Sequence, residues 1–121
     1  MVLQIRRETR RFPRYNFSEP LRFQIRGTQQ INATICKDLS RGGIRFTSSC
    51  FISPKTVLML EFSVLGRNIH PIARIVWSSP FLRQDKFYLG AEFIEWDILE
   101  KRILHEFLSL KEENKLKEIP L

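Results

Sequence analysis

From Pro20 to Phe93 apolar and polar residues alternate in short runs, the pattern of strands that turn one face toward a core. In residues 20–27 Leu21, Phe23 and Ile25 share a face, and in 31–37 Ile31, Ala33 and Ile35 do the same. The polar segment Asp38-Leu-Ser-Arg-Gly-Gly43 separates this second run from 44–47. Residues 57–64 are almost continuously apolar, broken by Glu61, and 68–77 bring Ile69, Ile72, Ala73, Ile75 and Val76 after a Gly66-Arg67 turn signal. Residues 78–86 read as a loop and 87–94 as a last strand. Six strands joined by short turns predict a mainly β protein, a six-stranded antiparallel β-barrel, because closure removes exposed strand edges.

After Asp97 the period changes from two to that of a helix. Asp97 followed by Glu100 is an N-cap signature. Leu99, Ile103, Phe107 and Leu110 then form a stripe flanked by Leu104 and Leu108. The expected helix covers an open side of the barrel, frays over 112–117 and ends before Pro120. The organisation is therefore a single domain: an N-terminal arm over 1–19, a barrel over 20–94, and a C-terminal helix and tail over 95–121.

With 43% hydrophobic and 27% charged residues, the 121-residue chain has the composition of an ordinary folded domain and not of a disordered one. No apolar run reaches the roughly 18–20 residues that cross a bilayer, and the N-terminal arginines are not followed by the apolar stretch of a secretory signal. A cytoplasmic location without membrane insertion is expected. Cys36 and Cys50 are too few for a disulfide framework, and both stand in apolar runs, so free, buried thiols are expected.

Charge adds more. Lys and Arg number 20 against 13 Asp and Glu, a net of +7. Residues 1–14 hold Arg6, Arg7, Arg10, Arg11 and Arg14 against Glu8 alone, a local net of +4, whereas 95–121 carry −2. An arginine cluster suits an anionic partner, since guanidinium groups pair with phosphate and stack on flat rings. Few apolar groups in this arm could dock it, so it is expected to be flexible.

Catalysis has little support. His70 and His105 lie far apart and without cysteine or carboxylate neighbours at ligand spacing, so neither metal nor cofactor is expected. There is no glycine-rich phosphate loop, no nucleophile elbow and no paired-carboxylate motif, and the protein is not expected to be an enzyme.

Two segments remain. In Arg10-Arg11-Phe-Pro-Arg14, Pro13 disfavours helix at Phe12. In an extended chain Arg10 and Arg14 then point to the same side, about 13 Å apart along the backbone. In Asp38-Leu-Ser-Arg-Gly-Gly43, Asp38 and Ser40 present an acceptor and a hydroxyl side by side, and Gly43 permits close approach. A carboxylate is also a natural acceptor for base N–H groups. Taken alone, such a segment is more often an ordinary turn than a binding motif.

Together, an Arg-x-x-x-Arg arm followed some two dozen residues later by Asp-x-Ser-x-x-Gly resembles the PilZ domain family, receptors for cyclic di-GMP. The resemblance extends over about residues 8–110: a strand ending in Val76-Trp77, then Tyr88-Leu-Gly90-Ala-Glu-Phe93, then the helix from Asp97. Arg6/Arg10 and Arg7/Arg11 share the arginine spacing, but Arg10/Arg14 lies just ahead of the first strand, as in the family. Where members often carry a further arginine, this chain has Thr9.

The resemblance implies that Arg10 and Arg14 clamp phosphates and stack on guanine, with Arg11 assisting. It implies that Asp38 and Ser40 bond guanine edges or neighbouring arginines, and that Gly43 leaves room for the ring. Trp77 is either a stacking residue or a core residue, and Arg41 either reaches a phosphate or is solvated. The implied function is a receptor whose arm folds over cyclic di-GMP and alters the surface shown to a downstream protein. Two alternatives stand beside it. One is a small basic barrel that binds single-stranded nucleic acid, which leaves Asp38 unexplained because a carboxylate repels a phosphate backbone. The other is a PilZ-like interaction module that binds no nucleotide.

Overall fold

The computed structural model describes residues 12–81 and 85–117, with side chains as far as 114. The described chain forms β1 (Tyr15–Asn16), β2 (Pro20–Ile25), β3 (Asn32–Leu39), β4 (Gly43–Ser48), β5 (Val57–Val64), β6 (Arg67–Ile69), β7 (Ile72–Pro80), β8 (Phe87–Glu95) and helix α1 (Ile98–Lys117). All strand pairs are antiparallel, and the ladder β3-β2-β5-β7-β8-β4 closes through β3–β4 into a six-stranded barrel. Two short strands lie off this ring: β1 extends one edge of β3, and β6 pairs with the end of β5.

Alternation decides what fills the barrel. Leu21 and Phe23 of β2, Ile44 and Phe46 of β4, and Leu58, Leu60, Phe62 and Val64 of β5 all point inward and are buried, with Ala73 and Ile75 of β7 and Leu89 and Ala91 of β8. Phe23 and Phe46 meet at 5.3 Å between ring centroids, and Phe17 stands edge-on to both Phe62 and Phe107. Phe17 thereby ties the chain ahead of β2 to both barrel and helix.

Some local expectations are revised. The alternating face of Ile31, Ala33 and Ile35 is the outer one; Thr34 and Cys36 point inward, registered against Leu21 and Phe46. The expected strand over 68–77 is divided at His70–Pro71, because proline offers no N–H to the ladder; the Pro71 carbonyl instead accepts from Leu60 N at 3.0 Å. The turn before it, Leu65-Gly66, has both residues at positive φ, as a tight two-residue hairpin requires. Cys36 is buried, but Cys50 is exposed, because β4 ends at Ser48, whose hydroxyl bonds the backbone of Cys50.

In α1 the Asp97 carboxylate caps the helix by accepting from Leu99 N at 2.9 Å and Glu100 N at 3.2 Å. Leu104 and Leu108 are the fully buried pair, and Ile103 and Phe107 pack beside them. Leu99 and Leu110, expected on the buried stripe, are 61% and 47% exposed. No described helix is long and apolar enough to cross a membrane.

Candidate functional site

Two β-bulges shape one side of the barrel. Along β3 the inward-facing positions run through Cys36, and unbroken alternation would carry Asp38 inward as well. A register shift between Cys36 and Asp38 places two residues opposite one and changes the parity. Asp38 therefore pairs with Arg45 on the outer face, and Leu39 takes the core position opposite Ile44. A second shift, between Ile75 and Trp77 in β7, turns Trp77 outward beside Gly90 of β8. Bulges of this kind re-aim side chains next to binding sites.

These outward residues surround a cavity of about 380 Å³, lined by Phe12 and Arg14 from the N-terminal segment, Asp38 and Ser40 at the end of β3, Gly42 and Gly43, Arg45, Val76, Trp77, Gly90 and Glu92. Its size lies within the usual range of small-ligand sites, about 300–1,000 Å³. The Arg-x-x-x-Arg and Asp-x-Ser-x-x-Gly segments thus reach the same cavity through Arg14 and through Asp38, Ser40 and Gly43. Arg10 and Arg11 lie outside the described residues. Arg41 turns elsewhere: its guanidinium pairs with Glu112 and bonds the Ser109 hydroxyl at 3.0 Å, tying the loop to α1.

The polar groups at the base of the cavity hold one another. Arg45 donates to Asp38 Oδ2 from Nε at 2.8 Å, its Nη2 forms an ion pair with the same oxygen at 2.8 Å, and the Asp38 side chain is only 10% exposed. The same guanidinium lies over the Tyr88 ring, 5.3 Å from its centroid, and Tyr88 stacks on Phe81 at 4.1 Å. Arg45 is therefore oriented by one carboxylate and one aromatic face. Ser40 closes the loop. Its hydroxyl oxygen accepts from the backbone N–H of Gly42 at 3.2 Å and of Gly43 at 3.1 Å, while its own N–H donates to the Gly43 carbonyl at 2.9 Å.

Each glycine of this wall has a different physical reason. A Cβ on Gly43 would stand 2.3 Å from the Ala91 carbonyl oxygen, so its missing side chain lets β4 approach β8. A Cβ on Gly42 would meet the Phe12 ring at 2.9 Å, so Gly42 is the seat of the N-terminal segment. A Cβ on Gly90 would stand 2.3 Å from Trp77 Nε1, so Gly90 makes room for the indole.

Arg45, Glu92 and Phe12 were not singled out from the sequence. Two signals bear on them. Arg45 stands two residues after the motif glycine, on the same strand face, and Glu92 lies inside the Tyr88–Phe93 pattern. Among the described residues no group of three or more His, Cys, Asp and Glu side chains is placed to hold a metal ion.

The PilZ domain family model matches residues 8–110. No curated protein matches the chain. Among solved structures, Bacillus subtilis MotI/DgrA, an inhibitor of motility, is similar with a TM-score of 0.73 and 16% identity, over 93% of this chain and 54% of that one. The MrkH–c-di-GMP complex of K. pneumonia gives 0.68 and 17%, over 92% and 55%. The PilZ domain of Escherichia coli YcgR with c-di-GMP gives 0.62 and 16%, over 93% and 100%. The chain spans about half the length of the first two, and at these identities the likeness is one of fold. With a family model that matches almost the whole sequence, and the six-stranded barrel and terminal helix described above, the chain belongs to the PilZ domain family.

Proposed function

We propose that the cavity bounded by Arg14, Asp38, Trp77 and Glu92 binds cyclic di-GMP, and that the protein is a receptor for this messenger and not an enzyme. The observation that carries this reading is that Arg14 and Asp38, some two dozen residues apart in sequence, line one cavity together with an outward-facing indole. The ligand's chemistry suits that wall. It carries two phosphate charges and two flat bases, and the wall offers guanidinium groups for the phosphates and an indole for stacking.

The wall's two carboxylates are already matched by arginines, Asp38 by Arg45 and Glu92 by Arg74. The excess positive charge that attracts a dianion therefore comes from the N-terminal segment, whose first fourteen residues carry +4. In this reading Arg10 and Arg14 grip phosphate and guanine, Arg11 assists, and the segment closes over the bound ligand with Phe12 seated on Gly42. Asp38 acts by holding Arg45 as well as by accepting from the ligand. The closed segment changes the surface shown to a downstream protein. Support also comes from the family membership and from neighbours whose structures contain c-di-GMP.

Calorimetry at fixed salt tests this, with cyclic di-GMP as ligand and GTP and a short single-stranded oligonucleotide as controls. Saturable micromolar binding, roughly −8 kcal/mol, that is lost in Arg14→Ala and Asp38→Ala is the expected result. No response to the dinucleotide, with salt-sensitive oligonucleotide binding, would assign the basic surface to nucleic acid instead.

A further inference from the structure

Glu92 presents a difficulty for any anion site. It lines the cavity, stands directly opposite Gly43 in the β4–β8 ladder, and has a side chain that is 46% exposed. A carboxylate there repels phosphate unless it faces something else. Arg74, its cross-strand neighbour on β7, donates to Glu92 Oε2 from Nε at 3.1 Å and from Nη2 at 3.0 Å. Both of these bonds end on one oxygen, so Oε1 takes part in neither. The pair fixes the carboxylate on the wall, offsets its charge, and leaves acceptor capacity on both oxygens, since an ionised carboxylate accepts about four hydrogen bonds.

Asp38 is less suited to reading a base. Its Oδ2 accepts from Arg45 Nε, and its side chain is nearly covered, 10% exposed against 46% for Glu92.

We infer that Glu92 is the residue that selects guanine in the bound dinucleotide, accepting the N1–H and the exocyclic N2–H of one base while Trp77 covers a ring face. This rests on the reading of the cavity as a cyclic di-GMP site. The chemical reason is that guanine presents two adjacent donors, which a carboxylate can accept together. Adenine presents a bare N1 acceptor at that edge, which a carboxylate opposes. A site built to pair polar groups rejects an analogue that leaves them unpaired far more strongly than an apolar pocket rejects a misfit.

The test is equilibrium binding, at one salt concentration, of cyclic di-GMP, cyclic di-IMP and cyclic di-AMP to the wild-type chain and to Glu92→Gln and Arg74→Gln, each shown to be folded by thermal melting. Cyclic di-IMP keeps N1–H and lacks the N2 amino group. The wild type is expected to prefer cyclic di-GMP to cyclic di-AMP by roughly 100-fold or more, with cyclic di-IMP between them. In Glu92→Gln that ratio should fall at least tenfold, through weaker guanine binding and stronger adenine binding, because a carboxamide can pair with adenine. Arg74→Gln keeps the carboxylate but removes the group that fixes it and offsets its charge, so affinity for all three dinucleotides should fall while the ratio falls less than in Glu92→Gln.

An unchanged ratio in Glu92→Gln would reduce Glu92 to a cross-strand partner of Arg74 and overturn the inference alone. A wild-type chain that binds none of the three dinucleotides would overturn the site reading and this inference together.

Discussion

Gly42 and Gly43 are adjacent in the same loop, yet alanine should act differently at each. At Gly43 the new Cβ stands 2.3 Å from the Ala91 carbonyl oxygen and 3.3 Å from its carbon, where ordinary contacts begin at 3.4 Å. The obstacle is backbone, held in the β4–β8 ladder on both sides of the Gly43–Glu92 pair. Relief requires the strands to part by about 1 Å, which overpacking data value at about 1–3 kcal/mol, toward the upper end here because no side chain can yield. The stiffer unfolded chain returns about 0.4–1 kcal/mol, for a net loss of about 2 kcal/mol. In a domain of this size that lowers Tm by roughly 6–10 °C.

At Gly42 the obstacle is the edge of the Phe12 ring, itself 39% exposed and able to swing away. Gly42→Ala should therefore change stability by less than about 0.5 kcal/mol while displacing Phe12. Arg14, two residues on, loses its placement, and affinity for cyclic di-GMP falls. Thermal melting by circular dichroism and calorimetric titration of both variants separate the two effects. Equal destabilisation by the two substitutions, or a Gly43→Ala chain as stable as the parent, would refute the steric reasoning.

Gly90→Ala places a Cβ within 2.3–2.4 Å of the indole of Trp77, so tryptophan emission should shift and ligand affinity should drop, with less loss of stability than Gly43→Ala because a side chain can move. Cys36 is held as the neutral thiol, its pKa raised above 9.0 by burial first and by the Asp38 charge second. A thiol reagent should therefore modify Cys50 in the folded protein, and Cys36 only after unfolding, as read by mass spectrometry. The same shift makes stability fall as pH rises above about 9, because the unfolded chain releases the Cys36 proton first; Cys36→Ala should flatten that alkaline limb in pH-dependent melting. His105 is shifted the other way, its pKa lowered by burial and then by Arg41 and Lys101. Its contribution is present above about pH 6.5 and is lost as pH falls, since the unfolded chain takes up the proton first. His105→Leu, which also removes the buried Nε2 that has no hydrogen-bond partner among the described residues, should weaken the acid dependence of Tm.

The barrel was legible because its inward residues alternate strictly in β2, β4 and β5, and because Asp97 marks the helix start by its own chemistry. The face of β3 was not, since Ile31 and Ile35 alternate as cleanly on the solvent side as a core face would, and register alone decides between them. In α1 the period was evident, but the centre of the buried stripe depends on where the barrel lies, and Leu104 and Leu108 took the place expected of Leu99 and Leu110. At the site, Asp38, Ser40 and Gly43 announced themselves by spacing, as did the arginines ahead of them. Arg45 and Glu92 did not, because their importance comes from strands distant in sequence, β3 beside β4 and β7 beside β8. The two bulges that turn Asp38 and Trp77 outward also have no sequence signature of their own. The arm expected over 1–19 is described only from residue 12, where Tyr15–Asn16 pair with β3 and Phe17 is buried.

The most direct measurement is a backbone and indole NMR titration of the isotope-labelled chain with cyclic di-GMP. Saturable shifts should centre on Arg14, Gly42, Gly43, Gly90, Glu92 and the Trp77 indole N–H, and should disappear in Arg14→Ala. Shifts centred instead on the outer groove of Arg22, Met59 and Ile72, or no shifts at millimolar dinucleotide, would contradict the assignment of the cavity.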